Sequence, residues 1–176
     1  MSRLTIPVGE TDHAQGPAAA PVTLVEYGDY ECPHCGAAHP VVKSIQAAMG
    51  DELRFVFRNF PLAQIHEHAM LAAQAAEAAG AQSEKNFWRM HDRLLENQSR
   101  LDLSSLLSDA GEIGLNLDQF QRDLESGTLL PRVESDFRGG VRSGVNGTPT
   151  FFINGLRHDG ANDKKSLMEA MREASR

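Results

Sequence analysis

The chain is short of the residues that would mark a secreted or membrane protein. It has two cysteines in 176 residues, too few for the disulfide frameworks of small secreted domains. Lysine and arginine total 17 against 24 acidic residues, a net charge of -7. With no basic run, nothing offers a phosphate footprint to nucleic acid. No segment approaches the roughly 20 apolar residues of a membrane span. The start, MSRLTIPVGETDHAQG, lacks the apolar core of roughly 7–15 residues that a signal peptide needs. Neither G-x-G-x-x-G nor a P-loop occurs, so nucleotide chemistry has no support. These absences lead to the expectation of a soluble, cytoplasmic protein with no membrane span and no nucleic-acid partner.

What is present reads as an interrupted α/β chain. The length suits one domain, or one domain with a large insertion. A flexible start that includes His13, then the linker-like Gly16–Pro21, lead into Val22–Tyr27, a nearly continuous apolar run. Such a run fits a strand buried on both faces. A helix is expected from Pro33, whose missing N–H costs nothing in a first turn, through Met49 to a cap at Gly50. Leu53–Arg58 then forms a second strand, giving a βαβ unit with parallel strands.

From about Leu62 the pattern turns helical: His66–Ala79 capped at Gly80, then Glu84–Glu96, Leu101–Ile113, Leu117–Glu125 and Leu129–Val141. The Phe87, Trp88, Met90, Leu94 stripe is expected to form the core of this helical block. Strand returns at Thr150–Ile153, followed by the Asn154-Gly155 hairpin signal, a weak strand Leu156–His158, and a helix capped by Asp163.

Both cysteines lie in Tyr30-Glu31-Cys32-Pro33-His34-Cys35-Gly36. Cys32 would stand at the mouth of a helix that follows a buried strand, where free N–H groups and the helix dipole favour a thiolate. Cys35, one turn on, could attack a mixed disulfide formed at Cys32. The dipole alone shifts a thiol by at most about 1.5 pKa units, so a deeper shift needs direct hydrogen bonds, with the Cys35 N–H a candidate donor. His34 could add a positive or donor group. Glu26, in an otherwise apolar strand, could act as a buried proton carrier.

Val25-Glu26-Tyr27 leading into Cys32-Pro33-His34-Cys35, with Gly147-Thr148-Pro149-Thr150-Phe151 far downstream, resembles the DsbA family of thioredoxin-fold oxidoreductases over about residues 20–176. The resemblance implies a thioredoxin fold with an inserted all-helical subdomain: residues 1–61 and 144–176 thioredoxin-like, 62–143 the insertion. It implies a thiol–disulfide oxidoreductase without cofactor, with Cys32 the exposed attacking thiol and Cys35 the buried resolving one. It also implies a cis Thr148–Pro149 bond packed beside the pair. Pro33, Thr148 and Pro149 are then expected to receive the partner, a thiol- or disulfide-containing protein, or glutathione as a small thiol.

Two other functions compete. A metal-binding or chaperone-like module could use Cys32, Cys35 and His39 on one helical face, but a closed zinc site wants four ligands and no second cysteine pair exists, so no metal is assigned. A glutathione-dependent transferase or isomerase is the other, and relatives of that kind generally lack the second cysteine. His66 and His68 flank Glu67 without H-E-x-x-H spacing. His91 reads as a packed or surface histidine.

Overall fold

A computed structural model describes all residues, 1–176. β2 (Val22–Gly28) and β3 (Leu53–Asn59) run parallel, with Val22 opposite Leu53 and Gly28 opposite Asn59. Helix α1 (Pro33–Met49) makes the crossover between them and stops where Gly50 takes a positive φ of 51°. β4 (Thr150–Ile153) lies antiparallel on the other side of β2, with Glu26 opposite Phe151. β5 (Leu156–Arg157) follows through Asn154 and Gly155, whose φ angles of 47° and 82° suit a type I′ turn.

The central strand carries apolar side chains to both faces because both faces are covered. Leu24, Phe55, Phe57, Phe151 and Ile153 enter the main core with α1, while Val25, Tyr27, Val56 and Phe152 pack in a smaller core with Phe60. Between β3 and β4 come five helices: α2 (Ala69–Gln82), α3 (Glu84–Glu96), α4 (Leu103–Glu112), α5 (Leu117–Ser126) and α6 (Leu130–Arg142). Ser83, Asp102 and Asn116 cap α3, α4 and α5 by accepting from backbone N–H groups. The chain ends in α7 (Lys164–Ala174), capped by Asp163.

The helical block shares its core with the sheet. Trp88 lies 5.8 Å from Phe55 and His91 lies 4.6 Å from Phe57, ring centre to ring centre. The stripe on α3 therefore serves the common interior, not a core of the helices alone. Helix α2 starts at Ala69, not His66, because His66 and His68 are drawn to Asp29 and Glu31. It also runs past Gly80, whose missing Cβ lets His13 and Phe87 approach to 3.1 and 3.3 Å of where one would stand.

The start of the chain is ordered. His13–Gln15 is a strand, β1, antiparallel to β3, which makes the sheet order β1-β3-β2-β4-β5. His13, read from sequence as part of a flexible start, is buried and bonded at 2.8 Å to both Glu77 and Glu84. Burial alone would lower its pKa, but the two carboxylates outweigh that and raise it. At the opposite margin Leu4 donates to Gly155, Arg157 donates to Ser2, and Arg3 bridges to Leu156. Between these points Arg58 of β3 donates to Asp12, to the Tyr27 hydroxyl and to the carbonyls of Ile6 and Pro7.

Candidate functional site

Strand β2 ends at Gly28, and Asp29, Tyr30 and Glu31 carry the chain to Cys32, the N-cap of α1. Pro33 opens the helix, where no N–H is required. The Cys35 thiol, one turn on, hydrogen-bonds the Cys32 sulfur, and Cys35 Sγ itself accepts from the Asp29 N–H at 3.4 Å. Both cysteines are free thiols. Against burial, the Cys35 thiol, Thr148 and the backbone N–H groups of Cys35 and His34 hold the Cys32 thiol down at about 5. About 99% of it would then be thiolate at pH 7. The same bond to Cys32, with burial, pushes Cys35 far above the usual thiol range. The two sulfurs are thus set apart: one an anion, the other its proton donor.

Thr148 faces Cys32 with two polar atoms. The Cys32 sulfur stands 3.5 Å from the Thr148 carbonyl, to which it donates only while it carries its proton. The Thr148 hydroxyl is buried with no other partner, which leaves it free to donate once Cys32 is ionised. The Thr148–Pro149 bond is cis. Beside it a groove of about 240 Å³ is lined by His34, Ala37, Ala38, Thr148, Pro149 and Asn162.

Glu26 lies across from Phe57 on β3 and Phe151 on β4, 2% exposed. Its Oε1 has no hydrogen-bond partner. Burial first, then the charge of Cys32, pushes this carboxyl up to about 8. Gly28 leaves the space it needs, since a Cβ there would come within 3.1 Å of Glu26 Oε1 and 2.5 Å of the Phe57 ring. A protonated acid is therefore stored beneath the cysteine pair.

This constellation sits inside a longer match: the thioredoxin family model covers residues 9–173. The chain belongs to the thioredoxin family. Among solved structures, oxidised BdbD from Bacillus subtilis superposes with a TM-score of 0.87 at 24% identity, over 99% of this chain and 98% of that one. A thioredoxin-like oxidoreductase from Silicibacter pomeroyi DSS-3 gives 0.82 at 28% identity, over 94% and 93%. The alpha-DsbA1 protein of Wolbachia pipientis gives 0.83 at 20% identity, over 98% and 94%. The thioredoxin fold with helices between its halves, expected from the DsbA resemblance, is the fold these proteins share. By sequence, Na(+)/H(+) antiporter NhaA 1 of Salinispora arenicola is 44% identical over 172 residues, 97% of this chain but 26% of the relative. The chain thus spans about a quarter of the length of the curated relatives it matches.

Within this thioredoxin-family site two expectations change, and the rival metal reading through His39 is not met. Cys32 is not openly exposed: its residue is 4% accessible against 0% for Cys35. The Thr148 carbonyl stands 3.5 Å from the sulfur, and Thr148 also lines the groove beside it. His34 is exposed, and it is the backbone N–H, not the imidazole, that helps hold the Cys32 charge. His39 does not join the cysteines, because its Nε2 is directed to Asp92 and Glu96 of α3.

Gln98 is the residue that sequence reasoning missed. Its Nε2 donates to the carbonyls of Tyr30 and Cys32 at 2.9 and 2.8 Å, tying the helical block to the loop that carries the thiols. Gly36 makes room for it, since a Cβ there would lie 2.2 Å from Gln98 Oε1. A glycine inside a helix just past the cysteine pair was the available signal. By holding the Tyr30 and Cys32 carbonyls, Gln98 fixes the backbone just ahead of the helix whose His34 and Cys35 N–H groups reach the Cys32 sulfur. Replacing Gln98 by methionine should raise the pH midpoint of Cys32 alkylation by about one unit, the worth of one net hydrogen bond. Gln98→Glu, which adds a charge and loses the donor, should raise it further. A midpoint unchanged in both variants would remove Gln98 from the site.

Proposed function

We propose that this domain exchanges disulfides with thiol- or disulfide-containing proteins, and with small thiols such as glutathione, through Cys32 and Cys35. The observation that carries this reading is the split between the two sulfurs, one depressed to about 5 and its partner raised. In the oxidising direction a partner thiolate attacks Cys32 of the Cys32–Cys35 disulfide. The intramolecular S–S bond breaks, a mixed disulfide forms at Cys32, and Cys35 leaves with the electron pair. Glu26, protonated at neutral pH, gives Cys35 its proton, and Cys35 stays neutral thereafter. A second thiolate on the partner attacks the partner's own sulfur in the mixed disulfide and expels Cys32 as its stabilised anion. The partner is oxidised by two electrons and the domain reduced by two. Another disulfide then reoxidises the pair by the reverse steps.

Stabilising the Cys32 thiolate stabilises the reduced form, so the disulfide is a strong oxidant. A glutathione-dependent transferase has no use for a resolving thiol one turn from the first, and Cys35 is built as one. An antiporter needs helices that cross the bilayer, and no helix here is long and apolar enough to do so.

Equilibration in glutathione buffers tests the direction. A potential close to about -120 mV is expected, and one near about -270 mV would reverse the reading. Alkylation of Cys32 should titrate with a midpoint near pH 5. Because this pKa lies below the unfolded value of about 8.5, the stability it lends the reduced form is fully present only above that value. It is lost as pH falls through 5, so the reduced and oxidised forms should draw together in acid.

A further inference from the structure

Helices α1 and α3 meet at a second group of ligand-bearing side chains, apart from the thiols. His39 of α1 and His91 and Asp92 of α3 bring one donor atom each within 4.8 Å of one another. His39 Nε2 stands 3.6 Å from Asp92 Oδ1 and 3.4 Å from Glu96 Oε1. These separations are long for hydrogen bonds. They suit the edges of a tetrahedron around zinc, about 3.3–3.4 Å when metal–ligand bonds are 2.0–2.1 Å.

The surroundings fit the same ion. Both histidines are buried, 6% and 2% exposed. The Tyr30 hydroxyl pairs with His91 Nδ1 at 3.0 Å, which fixes the ring as an outer partner does in metal sites and leaves Nε2 as the nitrogen that would ligate. A positive charge is already drawn there: Lys43 Nζ bonds Asp92 Oδ2 at 3.0 Å and lies 2.8 Å from Oδ1. Asp92 Oδ1 is itself buried and has no hydrogen-bond partner, although the ammonium lies beside it. Lys43 is 39% exposed at its side chain and free to swing out.

We propose that His39, His91, Asp92 and Glu96 bind one Zn²⁺ that clamps α1 to α3, with Lys43 the cation it displaces. The clamp would lie one helical turn beyond Cys35, on the helix that carries the redox pair. Neither the ion nor its ligands take part in disulfide exchange, so the site stands or falls separately from that function.

The test is calorimetric titration of Zn²⁺ alone into metal-stripped protein in the Cys32–Cys35 disulfide form, whose sulfurs cannot ligate. One ion per chain is expected. His39→Gln and Asp92→Asn should each weaken binding at least about tenfold, the scale on which even outer partners of a metal site act. Lys43→Met should tighten it. Co²⁺ in place of zinc should show tetrahedral d–d absorption and quench Trp88, the only tryptophan, whose ring centre is 5.0 Å from that of His91. Asp92 and Glu96 reach solvent, at 33% and 61% side-chain exposure, so Asp92→Asn and Glu96→Gln should leave the fold intact. Binding weaker than about 0.1 mM, or binding that ignores both His39→Gln and Asp92→Asn, would overturn the proposal.

Discussion

Replacing Cys32 by serine is expected to lower the rate of disulfide exchange by about a thousandfold or more, as loss of a covalent nucleophile does elsewhere. A hydroxyl cannot form the mixed disulfide, and its pKa lies far beyond what the donors around position 32 can reach. Those donors, the Cys35 thiol, Thr148 and two backbone N–H groups, are arranged for an anion that serine does not supply at neutral pH. Cys35→Ser should behave differently. The nucleophile survives, but Cys35 no longer displaces a thiol held at Cys32, so during oxidation of a dithiol peptide by glutathione disulfide a mixed disulfide of Cys32 with glutathione should accumulate and be seen by mass. The pair of variants is read in one assay, oxidation of that peptide by glutathione disulfide. More than a tenth of the activity surviving in Cys32→Ser would remove Cys32 as nucleophile.

Arg58→Met is expected to cost about 3–5 kcal/mol, the usual penalty for leaving a buried charge without its partner. Arg58 and Asp12 are 4% and 8% exposed at their side chains, and the guanidinium holds the carboxylate at 2.8 and 2.9 Å through two nitrogens. Burial pushes Asp12 up, but the Arg58 bonds and the Gly9 N–H together outweigh it and keep the carboxyl below its usual range. Such a group stabilises the fold above its unfolded pKa of about 3.9, and this is lost as pH falls through the lower folded value. The deficit of the variant should therefore shrink in acid. Denaturant unfolding measures the loss, and the melting temperature should fall by about 10 °C. Adding Asp12→Asn to Arg58→Met should restore part of it. A loss under about 1 kcal/mol, the value of a surface pair, would show that Asp12 finds water when its partner is removed.

Much of this was legible in the residues. The βαβ unit, the Cys32 cap position, the Asn154-Gly155 turn and the Asp163 cap follow from patterns confined to a few neighbours. Glu26 stood out because a carboxyl in an apolar strand is costly. What escaped was decided by distant partners. Strand β1 has only three residues, polar in part, and its register is set by Phe55–Phe57, 40 to 44 positions away. His13 looked mobile because Glu77 and Glu84, which bury it, are far along the chain. Gln98 reaches carbonyls 66 and 68 residues earlier, and Gly36 signals only that something approaches the helix there, not which residue. His34 misled for the opposite reason: its place between the thiols drew attention to an imidazole that faces solvent, while its backbone N–H does the work.

The first fifteen residues cross the sheet from one outer strand to the other, pairing with β5 through Ser2–Leu4 and with β3 through His13–Gln15. Both rims are thereby occupied by strands two or three residues long. A neighbouring molecule searching for unpaired amide groups finds no extended ladder to continue, so the native domain is guarded against the strand-by-strand polymerisation that begins at bare sheet borders.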